Sequence, residues 1–457
     1  MFLSKKHSQK NNRMKNILSI LIIFTLITSK AIGQELLISI PHQMEGLAFN
    51  ISKANVIAHE QSNLKFVLLS SNNQVTLYSI NDNNEITSTQ STKIPGYDSY
   101  TILGSQFNNN TLTILLFSGT NYYLESFNIN TNEHYEASFK IKKKGESSFL
   151  TLQLNNQIAF ISYHKKDGHF ILRTLNKDLQ ITKQYIPFNH GNFKSFFKLW
   201  SGLNSPTTIH PDWNYRPKQS TGRLQLSFDN SYVNYLFQHE DSLRNIHIDI
   251  ENLNIDYYTE SSKLPDGYGK YNHIVYNDKL FSIFSHSTKI KLQVKDLKTG
   301  QILDHKTFTN TNTFNDWFSE PNLNGFPVNQ LNNKTKEEQF IKRLNKFKPI
   351  LSVSNSNTDY VIRMGGLRKE YQSNSYGSRI PVFKEEYVQE MWLDENFNIK
   401  NTQTITRAIK QILNYRIPIN KPQGITKLKY KDSYIIGYYD VNTERYILKN
   451  FKDKPNY

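Results

Sequence analysis

The sequence repeats a pattern of paired hydrophobic segments along most of its length, and this repeat constrains the fold more than any other feature. Each unit begins with a nearly continuous apolar segment, typical of a strand covered on both faces, and continues with a segment in which apolar and polar residues alternate. The apolar segments begin at Leu64, Thr111, Gln157, Ser231, Asp278, Thr358 and Ser433. Such a unit cannot bury its apolar face alone, so consecutive units are expected to pack against one another.

A further strand precedes each unit, and most units also carry signals for a fourth strand. An Asn, Asp or Gly turn, such as Thr299-Gly300, follows most of the alternating segments, and a more polar strand comes after it. Four antiparallel strands repeated seven times predict an all-β fold, a β-propeller of seven four-stranded blades. Six or eight blades stay open as alternatives because the sixth unit is heavily interrupted. No unit carries a WD dipeptide, a kelch glycine pair or a sialidase Asp-box, so the pattern indicates an architecture and no family.

The two ends of the chain complement each other in this scheme. The seventh unit ends at Tyr457 after only three strands, whereas the segment Glu35–Ile40 is a strand without a unit. Pairing of the terminal strands would complete the last blade and leave no open sheet edge there.

The first 33 residues have the composition of a secretory signal peptide. Lys5, Lys6, Lys10, Arg13 and Lys15 precede an apolar run over 17–27, and Ala31-Ile32-Gly33 has the small-x-small form of a cleavage site. The run is about half of the roughly 20 residues that a membrane-spanning helix needs, so an uncleaved anchor is the alternative. The sequence predicts an exported protein (periplasmic, cell-surface or extracellular) with a single propeller domain over 34–457 and no integral membrane span after cleavage.

Cleavage after Gly33 can be checked directly. The exported protein is expected to begin at Gln34 and to have the mass of residues 34–457 or, after cyclisation of Gln34, slightly less. Intact-mass measurement on exported protein distinguishes the outcomes, and a species that retains residues 17–30 would show a tethered protein instead.

Charge and cysteine content exclude several classes of function. The formal net charge is +16, and loss of the six basic residues in 1–33 lowers it to +10. The remaining basic residues lie in separate, partly compensated clusters, which does not suit a continuous nucleic-acid-binding face, so we expect no nucleic-acid partner. The absence of cysteine excludes disulfides, thiolate nucleophiles, zinc ribbons and a lipoprotein anchor.

Three insertions lengthen the otherwise regular repeat. The intervals between segment starts are 47, 46, 74, 47, 80 and 75 residues. The additional residues fall at about 188–221 between blades 3 and 4, at about 310–349 between blades 5 and 6, and at about 365–385 between two strands of blade 6. In a propeller these connections emerge at the same end of the blades, where binding sites commonly lie.

The insertions are rich in aromatic and charged residues, and they contain three of the four tryptophans. Aromatic planes beside Arg suit stacking on sugar rings or peptide side chains. The predicted ligand-binding residues are Trp200, Trp213, Tyr215, Arg216, Trp317, Arg368 and Arg379. The acidic residues that could serve catalysis are Asp212, Asp316 and Glu320. For any single aromatic residue, simple packing of the loop on the propeller is the competing explanation.

The second insertion also contains a predicted helix. Thr335 and Glu338 have capping-box spacing, Phe340, Ile341, Leu344 and Phe347 form one apolar stripe, and Pro349 ends the pattern. A stripe of this kind predicts docking on the propeller, with the basic side of the helix outward.

No motif for catalysis, nucleotide binding or metal binding is present. The pairs His164/His169 and His247/Asp249 have spacings that a hairpin and a strand produce by themselves, so the sequence predicts no metal and no cofactor. A glycoside hydrolase would need two converging carboxylates, which the sequence does not show. The sequence therefore favours a binding or scaffold propeller that recognises a glycan, a peptide or a partner protein. The alternative is a carbohydrate-active hydrolase or lyase that uses the same face.

Overall fold

The seven predicted units fold into seven sheets, each built on four antiparallel strands, and the fold is an all-β propeller with seven blades. The structure is a computed structural model. It describes residues 34–42, 53–71, 74–118, 121–140, 145–154, 157–164, 167–176, 178–188, 207–209, 220, 224–228, 231–239, 242–261, 264–312, 314–318, 336–356, 358–373, 379–400, 405–406, 408, 411–412, 415–419, 421–431 and 433–455.

The first three blades are regular. Blade 1 contains β2 (Lys53–His59), β3 (Leu64–Ser71), β4 (Gln74–Ile80) and β5 (Ile86–Lys93). Blade 2 contains β6 (Thr101–Asn108), β7 (Thr111–Ser118), β8 (Asn121–Asn128) and β9 (His134–Phe139). Blade 3 contains β10 (Glu146–Leu154), β11 (Gln157–His164), β12 (His169–Leu175) and β13 (Ile181–Pro187).

The later blades carry the additional elements. Blade 4 contains β15 (Leu224–Phe228), β16 (Tyr232–His239), β17 (Ser242–Asp249) and β18 (Asn254–Ser261), and a short parallel strand, β14 (Thr207–Ile209), extends its sheet. Blade 5 contains β19 (Lys270–Tyr276), β20 (Lys279–Ser285), β21 (Lys289–Asp296) and β22 (Ile302–Thr309). Blade 6 contains β23 (Lys348–Ser356), β24 (Asp359–Ser373), β25 (Arg379–Leu393) and β26 (Ile399–Lys400).

Blade 7 combines both ends of the chain. It contains β28 (Gln423–Tyr430), β29 (Ser433–Asp440), β30 (Arg445–Lys452) and β1 (Gln34–Pro41). A short strand pair, β27 (Ile405–Thr406) with β31 (Lys454–Pro455), lies outside the blades. In the described part of the chain, helix α1 spans Phe314–Trp317, helix α2 spans Lys336–Lys346, and 3-10 turns occupy Glu60–Ser62 and Tyr97–Ser99.

One turn type recurs between the third and fourth strands of blades 1 to 6. An Asn or Asp at or just after the end of the third strand accepts hydrogen bonds from backbone N–H groups two to four residues later, which folds the chain back on itself. The six residues are Asn81, Asn128, Asn176, Asp249, Asp296 and Asp394. Blade 7 has no such turn because its third and fourth strands are far apart in sequence. These turns account for the Asn/Asp/Gly pattern seen in the sequence.

Blades 7 and 1 form one compact unit, made of residues up to Asp98 and from Thr404 onward. In blade 7, β1 pairs antiparallel with β30, from Gln34 opposite Phe451 to Pro41 opposite Arg445. Ile40 is fully buried in the core that these two blades share. The prediction that the N-terminal strand completes the last blade is therefore confirmed.

Blades 2 to 6 form the second unit, Ser99–Gln403, in which every neighbouring pair of blades shares a hydrophobic cluster. Representative members are Leu124 and Phe160 for blades 2 and 3, Phe170 and Tyr235 for blades 3 and 4, Leu243 and Val275 for blades 4 and 5, and Phe281 and Tyr360 for blades 5 and 6. The nearly continuous apolar strands of blades 3, 4 and 5 follow from this arrangement, because each of these blades has a packing partner on both faces.

Candidate functional site

The predicted helix of the second insertion is present as α2, and it docks on blades 5 and 6. Its apolar residues Phe340, Ile341 and Leu344 are buried in the cluster that these blades share. The ammonium group of Lys270 donates hydrogen bonds to the carbonyl oxygens of Lys346 (2.8 Å) and Phe347 (3.3 Å) at the end of the helix. A cation at this end also interacts favourably with the helix dipole. The predicted cap residue Thr335 lies outside the described residues.

The third insertion is mostly strand. β24 and β25 are 15 residues each, whereas β23 pairs with β24 only as far as Leu367. Residues 368–373 and 379–384 therefore continue as a two-stranded extension of blade 6, which we name the blade 6 arm. Among the described strands, none pairs with the outer edges of residues 369–373 or 379–384.

A β-bulge lies at the base of the arm. The register shifts between Met364, which pairs with Gln389, and Gly366, which pairs with Glu386. Within the bulge, Tyr387 has a φ of 57°, a left-handed conformation that a bulky residue rarely adopts. A bulge bends a strand and increases its local twist, so it sets the direction in which the arm leaves the sheet.

Helix α2 holds the bulge in place. The Phe347 ring stacks on the Tyr387 ring at a centroid distance of 6.3 Å, and the Arg343 guanidinium lies 5.3 Å from the same ring. A Cβ atom at Gly366 would lie 2.9 Å from the Phe347 Cβ, so only glycine permits this approach. The end of the second insertion and the start of the third thus meet at the base of the arm.

The described end of the first insertion reaches the same blades. The hydroxyl of Ser220 accepts a hydrogen bond from the backbone N–H of Leu351 in β23 (3.0 Å). The Gln225 amide donates to the carbonyl oxygens of Ser220 (2.8 Å) and His273 (2.9 Å). These contacts connect the inner strands of blades 4, 5 and 6.

The two faces of the arm differ in chemistry. On one face, Lys369 lies 5.0 Å from the ring centroid of Tyr371, whose side chain is strongly exposed. On the other face, Glu370 forms ion pairs with Arg368 (3.0 Å) and Lys384 (2.6 Å). The hydrogen bond from Lys384 is the main cause that lowers the pKa of Glu370, so the carboxylate remains charged at neutral pH. The arm therefore presents an aromatic face and a charged face.

Trp317 and Asp316 lie in α1. The Trp317 ring is half-buried and packs edge-on against Phe308, with centroids 5.4 Å apart, so it contributes to the core of blades 5 and 6. Asp316 is exposed. Ligand binding by Trp317 and catalysis by Asp316 stay predictions.

The other predicted site residues are only partly covered. Arg379 begins β25 opposite Ser373, at the tip of the arm. Trp200, Asp212, Trp213, Tyr215, Arg216 and Glu320 lie outside the described residues. The sequence pattern did not single out Glu370 or Lys384.

His247, weighed in the sequence as part of a possible metal pair with Asp249, is a buried packing residue. Its Nδ1 lies 3.0 Å from the side-chain oxygen of Asn234. Asp249 instead accepts hydrogen bonds from the backbone of its own turn.

No protein-family model and no curated protein sequence matches the chain. Solved structures with similarity in fold include a prolyl endopeptidase (TM-score 0.37, 8% identity, 90% of this chain and 51% of that chain). A second is the Dos1 propeller (TM-score 0.28, 10% identity, 74% of this chain and 78% of that chain). A third is the dihydro-heme d1 dehydrogenase NirN (TM-score 0.27, 10% identity, 56% of this chain and 48% of that chain). The chain spans about half the length of the endopeptidase and dehydrogenase chains, and these similarities concern the fold alone. None of the helices in the described part of the chain combines the length and apolar character needed to cross a membrane.

Proposed function

We propose that this chain is an exported binding protein in which the propeller is a rigid scaffold and the blade 6 arm recognises an extended segment of a partner protein. Export is inferred from the signal-peptide pattern of residues 1–33. The observation that carries the binding proposal is the arm itself, a two-stranded extension whose aromatic face exposes 60% of Tyr371.

The arm suits an extended peptide for two reasons. Its outer edges offer backbone N–H and C=O groups, to which a peptide can add as a further strand. The exposed Tyr371 ring supplies a large contact area at low entropic cost, and it lies next to the cation of Lys369. The bulge and α2 fix the base of the arm, so the recognition surface is ordered before the partner arrives, which reduces the cost of binding.

The proposal is tested with the full chain on a peptide array and a glycan array. We expect peptides to bind, and Tyr371→Ala to weaken the binding of the best peptides by about 1–3 kcal/mol, the usual effect of losing an aromatic hot spot. Tyr135→Ala is the matched control, because Tyr135 is 57% exposed on blade 2 and far from the arm in sequence. Binding of glycans alone, or equal binding by both variants, would contradict the proposal.

The hydrolase alternative needs two carboxylates that approach each other. Of its three nominated residues the structure describes only Asp316, so this alternative stays a prediction from the sequence. If the glycan array gives the stronger result, turnover assays with Asp212→Asn, Asp316→Asn and Glu320→Gln distinguish catalysis from binding, because the amides keep the shape and remove the proton-transfer group.

A further inference from the structure

The turn between β11 and β12 in blade 3 brings three metal-binding side chains together. His164 and His169 form the last residue pair of this hairpin, so their side chains project from the same face. Their rings are nearly parallel, with centroids 5.4 Å apart. The third residue is Asp167 in the turn, whose Oδ2 lies 2.8 Å from the Nδ1 of His164.

The turn conformation is what places Asp167 beside the histidines. Gly168 has a φ of 66° and its N–H donates to the carbonyl oxygen of His164 (3.1 Å). This left-handed residue reverses the chain directly after Asp167, which is why the carboxylate folds back over the hairpin. One donor atom from each of the three residues lies within 4.8 Å of the other two.

The surroundings select the donor atoms and leave one side of the site open to solvent. A Cβ atom at Gly145 would lie 2.4 Å from the Nε2 of His164, so the backbone there covers this nitrogen and leaves Nδ1 facing Asp167. The side chain of Asp167 is 59% exposed, so an ion can approach the site at this carboxylate, whereas the Nδ1 atom of His164 is itself buried.

We propose that His164, Asp167 and His169 bind a divalent transition-metal ion, for which Zn²⁺ is the best match. Two imidazole nitrogens and one carboxylate oxygen are a donor set that Zn²⁺ and its first-row neighbours prefer, whereas Ca²⁺ and Mg²⁺ prefer oxygen donors alone. Three protein ligands leave further coordination positions to water. The ion would connect the ends of β11 and β12 to their turn and so fix this end of blade 3.

The cationic groups around the site limit its affinity. Lys183 on β13 lies 4.6 Å from the ring centroid of Tyr185, and that ring packs edge-on against His169 at 4.9 Å. Lys183 is therefore held beside the site by an aromatic contact and repels a bound cation. Lys165 and Lys166 are also close in sequence, between His164 and Asp167.

The test is calorimetric titration of the full, tag-free chain with ZnCl₂ after removal of metals by EDTA and dialysis, with CaCl₂ and MgCl₂ titrated separately. We expect saturable Zn²⁺ binding, a higher melting temperature with Zn²⁺, and neither effect with Ca²⁺ or Mg²⁺. Removal of a group that only hydrogen bonds to a metal ligand typically lowers the metal affinity by about 10–100-fold. Removal of a ligand itself, in Asp167→Asn or His169→Gln, should therefore weaken Zn²⁺ binding by at least about tenfold.

The control is His286→Gln, since His286 is a solvent-accessible histidine on blade 5 that hydrogen bonds to Thr288. It should bind Zn²⁺ as the parent does. Asp167→Asn is isosteric and exposed, so unchanged circular dichroism and metal-free melting would show that folding is intact. Absence of saturable Zn²⁺ binding, or equal affinity in the parent, Asp167→Asn and His169→Gln, would overturn the proposal.

Discussion

A chain that begins at Lys53, and so lacks β1, is expected to lose more of the free energy of unfolding than the about 2–5 kcal/mol that truncation of one buried side chain costs, or to aggregate. β1 supplies the fourth strand of blade 7, and its loss would expose the whole hydrogen-bonding edge of β30. It would also remove Ile40, which is fully buried beside Tyr439, Tyr446 and Leu448, and truncation of one such side chain to Ala already costs about 2–5 kcal/mol.

Two substitutions within β1 measure how much of its contribution to stability comes from a buried side chain, because both leave the strand paired. Ile40→Ala should cost about 2–5 kcal/mol in urea unfolding. Leu36→Ala is the matched control, because Leu36 is 62% exposed in the same strand and should change stability little. If the chain that begins at Lys53 unfolds at the same urea concentration as the chain that begins at Gln34, closure of blade 7 by β1 does not stabilise the protein.

The second large effect is expected from the ion pair between Glu146 and Arg173 in blade 3. The Arg173 guanidinium donates to Glu146 Oε1 and to the Ser162 hydroxyl (3.0 Å), and this hydroxyl donates to Glu146 Oε2 (2.6 Å). The side chains of Arg173 and Glu146 are only 7% and 5% exposed. Arg173→Met should therefore cost about 3–5 kcal/mol, because it leaves a buried carboxylate without its cation.

The pH dependence of stability follows from the pKa of Glu146. Burial favours the neutral acid, but the hydrogen bonds from Arg173 and Ser162 outweigh it and hold the pKa of Glu146 below its ordinary value. A carboxyl whose pKa is lowered by folding stabilises the protein above its unfolded pKa, and this contribution is lost as the pH falls through the folded pKa. The difference in stability between the parent and Arg173→Met should thus shrink at acid pH.

A double-mutant cycle provides the check on this pair. Arg173→Met combined with Glu146→Gln should be more stable than Arg173→Met alone, since no unpaired charge remains buried. Lys384→Met, which breaks the ion pair with Glu370 on the exposed arm, is the matched control and should have a small effect. If Lys384→Met loses much stability and Arg173→Met loses none, the buried pair is not the one that stabilises the protein, and the prediction is wrong.

Much of the fold could be predicted from the sequence because it depends on local patterns. The continuous apolar segments such as 111–118 and the turns at Asn128 and Asp296 each specify a strand or a reversal from a few adjacent residues. The amphipathic stripe of Phe340, Ile341 and Leu344 specified the docking of α2 in the same way. The third insertion was predicted as a loop-like addition, but its residues continue β24 and β25, because strand pairing extends as long as both partners can supply hydrogen bonds.

The candidate sites were harder to predict, since they depend on register and on backbone conformation at single residues. The sequence weighed His164 with His169 but could not show that the left-handed Gly168 folds Asp167 back to within 2.8 Å of His164. Likewise, Arg368 was nominated without its ion-pair partner Glu370. Contacts of this kind follow from where a turn closes and which residues lie opposite each other, and neither is encoded in composition.

The sequence by itself determined the all-β class, the seven repeated units, the completion of blade 7 by the N-terminal strand and the position of the long insertions, because alternation and turn chemistry act over a few residues. Only the tertiary structure decided that Tyr371 is exposed on an arm whose base is fixed by Phe347 and Tyr387, and that Trp317 packs against Phe308. The physical reason is that burial and side-chain partnership arise between segments distant in sequence, once packing of the blades has fixed which faces meet.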